Sequence, residues 1–528
     1  MKRVYLVASG DQRPAANIAG WPTQKEMEEK LKAALSALGV ELVRAHPEDP
    51  QKGHGFIDSQ RMGLNVFNDI PKDAPVIVAL SIWQFSHHVL GGLQRHQGPV
   101  LTVANFSGEW PGLVGLLNLN GGLTKLGRPY STLWSKDFND DFFQDKLAEW
   151  VDSGRIEHDL SHVHSFDPGN LPAGPRQLGR RVAEELKEKG AILGVFDEGC
   201  MGMQNAIVED ALLNRLGIFK ERLSQSALYV EMQRVDEKEA EAALEWLLGR
   251  GMKFRWGEDP ASELTREQTL EQLKMYIAAA RMADRFAADA IGIQYQLGMI
   301  ELTAASDLAE GLLNNPDRPP IYAENGRELY AGRMLPHFNE ADEGAGIDGL
   351  VTERVWRALG LDPANTLHDL RWGDEWEGSF VWVLMISGAA PAAHLTGGYA
   401  GTVSERQPPV YFKSGGGTMT GVGRPGQVVW SRIYPAAGEL HADLGLGTVL
   451  ELPPQEVDRR WQSTTPQWPQ VNVVFTGVDR DRMMARHKAN HVQLAYADGE
   501  EAARTALIAK AAALDALGVK VHFCGVEP

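Results

Sequence analysis

Apolar residues recur along the chain in two rhythms, and its first part alternates between them. Short apolar runs predict strands at 4–8, 40–43, 75–82, 100–105 and 130–134. The run at 75–82 is apolar almost throughout, as in a strand covered on both faces. Between them, 25–38 predicts a helix with Leu31, Ala34 and Leu35 on one face. Trp110-Pro111 opens another, running to about 123, because proline is favoured in a first helical turn. Strands alternating with helices imply a parallel, doubly wound sheet.

The stretch 165–175, rich in proline and glycine, predicts a domain boundary. A second alternation follows, with a helix at 177–189, a strand at 191–196 and a helix from about 205. Next come a strand at 227–232 and a helix at 237–248. Thr265-Arg-Glu-Gln268 is a capping box before a long helix to about 287, and 290–294 predicts a further strand. Over 344–359, Ile347, Leu350, Val351, Val355, Ala358 and Leu359 share a helical face, and Gly360 follows where a terminating glycine belongs. Beyond it, short apolar runs at 380–386, 410–412, 428–433, 448–452 and 471–475 are separated by glycine and proline. A helix at 500–517 and a strand at 519–524 follow. The expected fold is α/β: two doubly wound parallel-sheet domains (1–165 and 176–355), then a mainly β, barrel-like domain (356–528).

Composition narrows the function. The 528 residues carry 52 basic and 70 acidic side chains, a net charge of −18, which disfavours nucleic acid. The two cysteines, Cys200 and Cys524, exclude a disulfide scaffold and an all-cysteine zinc site. No apolar run approaches the ~18 residues of a membrane span, and the opening one is too short for a signal sequence. No membrane is expected as a partner, and the expected compartment is the cytoplasm.

Simple chemical signatures are absent: there is no Walker loop, His-Glu-x-x-His or Gly-x-Ser-x-Gly. Gly415-Gly-Gly417 lacks the strand–turn–helix setting of a nucleotide site. His158, His162 and His164 have no common metal spacing and are expected to be solvated. Cys200 follows a strand, and packing suits it better than catalysis. Three segments carry more. In Asn339-Glu-Ala-Asp-Glu-Gly-Ala-Gly346, carboxylates precede a helix, where Asp342 or Glu343 would also serve as a cap. Leu367-His-Asp-Leu-Arg-Trp372 sets a carboxylate among apolar neighbours, and Ala489-Asn-His-Val-Gln-Leu494 brings a histidine into an apolar strand.

The order of these motifs resembles the L-fucose isomerase family of sugar isomerases. The resemblance runs from about 80 to 495. It rests on Ile82-Trp-Gln-Phe85, Trp110-Pro-Gly-Leu-Val114, Gly127-Arg-Pro129, Met201-Gly-Met203 and Gly292-Ile-Gln-Tyr-Gln296. It continues through Ser387-Gly-Ala-Ala390, Tyr411-Phe-Lys-Ser-Gly-Gly-Gly417, 463–468 and Ala489-Asn-His491. The resemblance implies Mn²⁺ held by Glu340, Asp369 and His491, with Glu324 a rival to Glu340. It implies that Glu340 and Asp369 move a proton between C1 and C2 of an open-chain sugar through a cis-enediolate. Hard carboxylate oxygens and one imidazole suit that ion on chemical grounds as well. Gln294, Ser387 and Asn490 are then candidates to bind sugar hydroxyls. Trp83, Tyr411 and Trp468 are candidates to cover its C–H faces. In the family, the counterparts of Trp83 and Met201 reach a neighbouring subunit's site, so a homo-oligomer, a hexamer or trimer, is expected. Val492 and His487-Lys488 depart from the family's pattern beside the histidine and leave the identity of the sugar open. The same ligands would serve an epimerase or lyase, and two α/β lobes would also suit a non-catalytic sugar-binding protein.

Overall fold

The computed structural model describes residues 1–527; the side chains of Asn170 and Cys200 lie outside that description, and with them the expectation for Cys200. The first sheet is built from β1 (Arg3–Val7), β2 (Glu41–Arg44), β3 (Val76–Leu80), β4 (Val100–Asn105) and β5 (Ser131–Ser135). All its pairings are parallel, in the order β2-β1-β3-β4-β5. β3 and β4 are buried along their whole length, which is why their sequences are apolar on both faces. The helix expected at 25–38 begins eleven residues sooner, as Pro14–Ala37. Pro14 occupies its first turn, where no donor is lost, and Pro22 and Gly20, which read as breakers, are carried inside it.

β6 (Val163–Ser165) leaves this sheet and joins the C-terminal one. The second parallel sheet follows, from β7 (Ala191–Phe196) and β8 (Ile218–Leu223). β9 (Lys253–Phe254) lies outside it, and β10 (Ala290–Ile293) completes the order β10-β7-β8. The strand expected at 227–232 is instead the helix Gln225–Met232. Ser224 caps it, and Leu228 and Met232, four apart, share its buried face. The true strand, β8, was hidden by its alternating charges. The capping box at Thr265 and Gln268 is formed in full, and Gly360 ends the helix Glu343–Leu359 at φ 74°.

β11 (Ile321–Tyr322) and β12 (Glu328–Leu329) make a small hairpin before the third unit. That unit contains β13 (Asn365–Trp376), β14 (Ser379–Met385), β15 (Val403–Ser404), β16 (Gly426–Ala436), β17 (Glu439–Val449), β18 (Val471–Phe475), β19 (His491–Ala497) and β20 (Lys520–Cys524). Six of them close into an antiparallel barrel, β16-β19-β13-β14-β18-β17 and back to β16. β20 adds parallel to β17, and β15 pairs with β9. Residues 410–412, expected as a strand, form a turn in which Tyr411 and Phe412 both donate to the Pro408 carbonyl. The helix Ala173–Lys189 lies against Glu500–Leu517 so closely that a Cβ on Gly179 would stand 2.1 Å from the Ala509 oxygen. One apolar cluster runs from Trp83 and Phe85 through Met201 and Phe338 to Ile386 and Ala389, joining both parallel sheets to the barrel. Among the described residues no helix is long and apolar enough to cross a membrane.

Candidate active site

Strand order in the first sheet reverses between β1 and β3, and open α/β sheets bind ligands outside the carboxyl ends of strands at such a point. The chain leaving β1 supplies Arg13 and the chain leaving β3 supplies Trp83. Both line one cavity, together with Pro111 and Val114 from the start of the helix after β4, Gly112–Lys125. The second sheet contributes from its own carboxyl edge: Met201 follows β7 and Gln296 follows β10. The third unit closes the cavity with Asp369, Ser387, Tyr411, Phe412, Trp468 and Asn490, and Glu340 enters from the turn before Glu343–Leu359.

Glu340 and Ala341 adopt φ of 55° and 53°, a left-handed bend that few side chains accept, before Asp342 caps the helix through Ala345 N–H. Asp369 faces His491 across the β13–β19 ladder. His491 Nε2 lies 3.4 Å from Asp369 Oδ1 and 3.6 Å from Glu340 Oε2. Its other nitrogen, Nδ1, stands 2.7 Å from Asp342 Oδ2. Arg432 donates to both oxygens of Asp342, at 2.6 and 3.0 Å. Asn490 Nδ2 donates to Asp369 Oδ1 at 3.2 Å, and Gln296 Nε2 donates to Glu340 Oε1 at 3.4 Å.

The charges in this nest are tightly opposed. Burial pushes the Glu340 carboxyl up to about 7; His491 and Arg13 pull against that, and Asp369 and Asp342 reinforce it. Burial likewise raises Asp369. Burial alone would raise Asp342 too, but the Arg432 guanidinium and the His491 hydrogen bond outweigh it and hold the carboxyl below its usual range. For His491, burial pulls the imidazole down, and the bond to Asp342 with the surrounding carboxylates carries it above its ordinary value.

The donor types, two carboxylates and one imidazole, are those a hard divalent ion takes. Two carboxylates and an imidazole converge, and the imidazole is oriented by a carboxylate on its far nitrogen, as metal-bound histidines usually are. The 3.4 and 3.6 Å separations exceed the roughly 3 Å edge of an octahedron of ~2.1 Å bonds. Among the described residues no group of three or more His, Cys, Asp or Glu side chains is placed to hold a metal ion as the chain stands.

Several polar atoms at the cavity are buried and unpartnered: Trp83 Nε1, Gln296 Oε1 and Asn490 Oδ1. Buried polar groups rarely go unpaired, so these suit a polar ligand. Apolar faces stand beside them, with the Tyr411 and Trp468 rings 6.2 Å apart. The Arg13 guanidinium, 2.7 Å from Asp11, lies 4.8 Å over the Tyr411 ring. Behind the wall, the fully buried Gln407 donates to the Ser387 carbonyl at 2.6 Å and accepts from Trp468 Nε1 at 2.7 Å, tying two wall residues together.

Of the residues expected from sequence, Trp83, Met201, Glu340, Asp369, Ser387, Tyr411, Trp468 and Asn490 line this cavity, and His491 faces two of them. Gln294 does not line it. Its side-chain oxygen is spent on the Gln296 N–H at 3.1 Å, folding the turn after β10, so Gln296 reaches the cavity in its place. Trp83 and Met201 line their own chain's cavity, where the resemblance implies a neighbour's. Glu324 sits exposed in the turn between β11 and β12.

The other expectations resolve structurally. Gly415 and Gly416, at φ 74° and 103°, press on Gln268 and Gln272. His158 stacks on Trp134. His162, expected in solvent, is only 5% exposed. Arg432 shows in the sequence as an arginine inside the apolar run of β16, whereas Arg13 carries no such signal. No family model and no curated protein matches the chain.

Proposed function

We propose that this protein is a metal-dependent aldose–ketose isomerase acting on an open-chain monosaccharide, as the resemblance to the L-fucose isomerase family implies. The observation that carries the reading is the meeting of Glu340, Asp369 and His491 at a cavity that also holds unpartnered polar atoms and aromatic faces. Glu340, Asp369 and His491 would hold Mn²⁺, which when bound supplies Lewis acidity toward the sugar oxygens.

The chain's own groups do the rest. Glu340 and Asp369 move the proton between C1 and C2, each using a carboxylate oxygen not engaged as a ligand. Asn490 and Gln296 hold the two carboxylates in place and keep one amide oxygen each for sugar hydroxyls. Trp83, Tyr411, Trp468 and Met201 cover the C–H faces and limit water. A homo-oligomer, trimeric or hexameric, and work in the cytoplasm belong to the same reading.

The test is to incubate the Mn²⁺-loaded protein with a panel of aldoses in D₂O. Ketose and carbon-bound deuterium are expected, and Glu340→Gln or Asp369→Asn should abolish both. No exchange with any aldose would overturn the reading.

A further inference from the structure

Two carboxylates that this chemistry leaves unused lie behind Ser387. Asp307 and Glu310 stand on the helix Asp307–Leu313, each 1% exposed. Among the described residues neither forms an ion pair with lysine or arginine; the nearest ionisable partner is His337, whose Nδ1 lies 3.5 Å from Glu310 Oε2. His337 Nε2 accepts from the Ile293 N–H at 3.2 Å, which leaves its proton on Nδ1, and burial pulls the ring down to about 3, so it is neutral. Two buried carboxylates without a cation cannot both be ionised. Burial pushes Asp307 up to about 8, with Gln407 and Ser387 pulling against it, and pushes Glu310 well above the usual carboxylate range.

Hydrogen-bond accounting locates a proton. Asn339 Nδ2 donates to Glu310 Oε2, so its Oδ1 is the atom that faces Ser387. Ser387 Oγ lies 3.3 Å from Asn339 Oδ1 and 3.3 Å from Asp307 Oδ1. One hydroxyl proton cannot satisfy two acceptors well. The set closes if Asp307 is a neutral acid donating to Ser387 Oγ, leaving the serine proton for Asn339 or for a ligand. Asp307 Oδ2 has no partner, which costs far less for a neutral acid than for an anion.

We propose that Asp307, acting through Ser387, carries the oxygen-borne proton of the isomerisation while Glu340 and Asp369 carry the carbon-borne one. This rests on the isomerase reading. Converting an aldose to a ketose moves a hydrogen from C2 to C1 and, equally, a proton from O2 to O1. As the C1 carbonyl is reduced to a hydroxyl, the Ser387 Oγ–H bond breaks and its proton bonds to O1. The Asp307 Oδ1–H bond breaks in turn to restore the serine, leaving a carboxylate. As the C2 carbonyl forms, the O2–H proton passes to Ser387 Oγ and the serine proton returns to Asp307. The cycle needs no other reactant. The two oxygens are on adjacent carbons, so one hydroxyl can serve both. Ser387 touches the substrate; Asp307 is a positioning and relay residue behind it.

Asp307→Asn keeps the shape and a donating amide but cannot release a proton. On an aldose that the wild-type protein isomerises, kcat should fall about 100-fold or more with KM nearly unchanged. Asp307→Glu should recover part of the loss, and Ser387→Ala should lose as much as Asp307→Asn, with the double variant no worse. Independently of turnover, infrared spectra of the metal-free protein at neutral pH should contain protonated-carboxyl C=O absorption, sensitive to D₂O, of which Asp307→Asn removes one component while those of Glu310 and Glu340 persist. Should Asp307→Asn fail to fold, Ser387→Ala, which deletes one hydroxyl, carries the kcat test. A wild-type protein that isomerises beside an unimpaired Asp307→Asn, or a protonated-carboxyl absorption that Asp307→Asn leaves undiminished, overturns the relay alone. A wild-type protein that exchanges with no aldose overturns the isomerase reading and the relay with it.

Discussion

Asp342 offers the sharpest test of how the site is held. It is fully buried, caps a helix through Ala345, takes two bonds from Arg432 and binds His491 Nδ1. Asp342→Asn preserves its shape and removes its charge. Its amide nitrogen then faces two donors, and Arg432, 1% exposed and permanently charged, loses its anion. Removing one partner of a buried pair costs about 3–5 kcal/mol, so the single variant should be strongly destabilised. Adding Arg432→Met takes the stranded cation away and should restore most of that loss. The double variant isolates the effect on the histidine. With an amide donor in front of Nδ1, the imidazole proton moves to Nε2, the nitrogen that faces Glu340 and Asp369. Loss of such a partner weakens metal binding about 10–100-fold, or roughly 1.4–2.7 kcal/mol. Thermal melting and Mn²⁺ titration, by calorimetry or by the paramagnetic signal of the free ion, read the two effects separately. A double variant with near-native melting and undiminished Mn²⁺ affinity would refute the reasoning.

Two further outcomes follow from the geometry. Glu340 titrates near 7 in the folded chain against about 4.3 unfolded, so the folded state holds that proton more tightly. Its contribution to metal-free stability is therefore full below about pH 4.3 and is lost as pH rises through 7, on the order of 3 kcal/mol; denaturation across this range should show a slope that Glu340→Gln reduces. Gln407→Leu leaves the Ser387 carbonyl and the Trp468 indole N–H without their buried partner, at about 1–3 kcal/mol each. Melting should drop accordingly, and KM should rise as both wall residues loosen.

Where burial is periodic, the elements could be read directly. The runs at 100–105, 191–196 and 471–475 are strands with those same limits because each is apolar enough to need cover on both faces. Gly360 and the Thr265–Gln268 box marked helix ends because a left-handed turn and a reciprocal cap have few chemical solutions. The failures were of the opposite kind. β8 has charges along its edge, and the apolar run at 227–232 has only two residues to bury, four apart, so local pattern favoured the wrong segment. Tyr411 and Phe412 are apolar because they cover a cavity, without belonging to a strand.

The amino-acid sequence by itself determined the order of sheets and barrel and set Asp369 and His491 as polar groups within apolar runs, whereas Glu340 joined them only through what the family resemblance implies. Only the tertiary structure decided their company. Asp342 and Arg432 are 90 positions apart and meet because β16 runs beneath the helix that Asp342 caps. Arg13 and Trp83 share a cavity with barrel residues because a strand-order reversal opens the first sheet toward the third unit. Periodicity reports how each segment buries itself; which charged groups share one desolvated space depends on contacts between segments hundreds of residues apart.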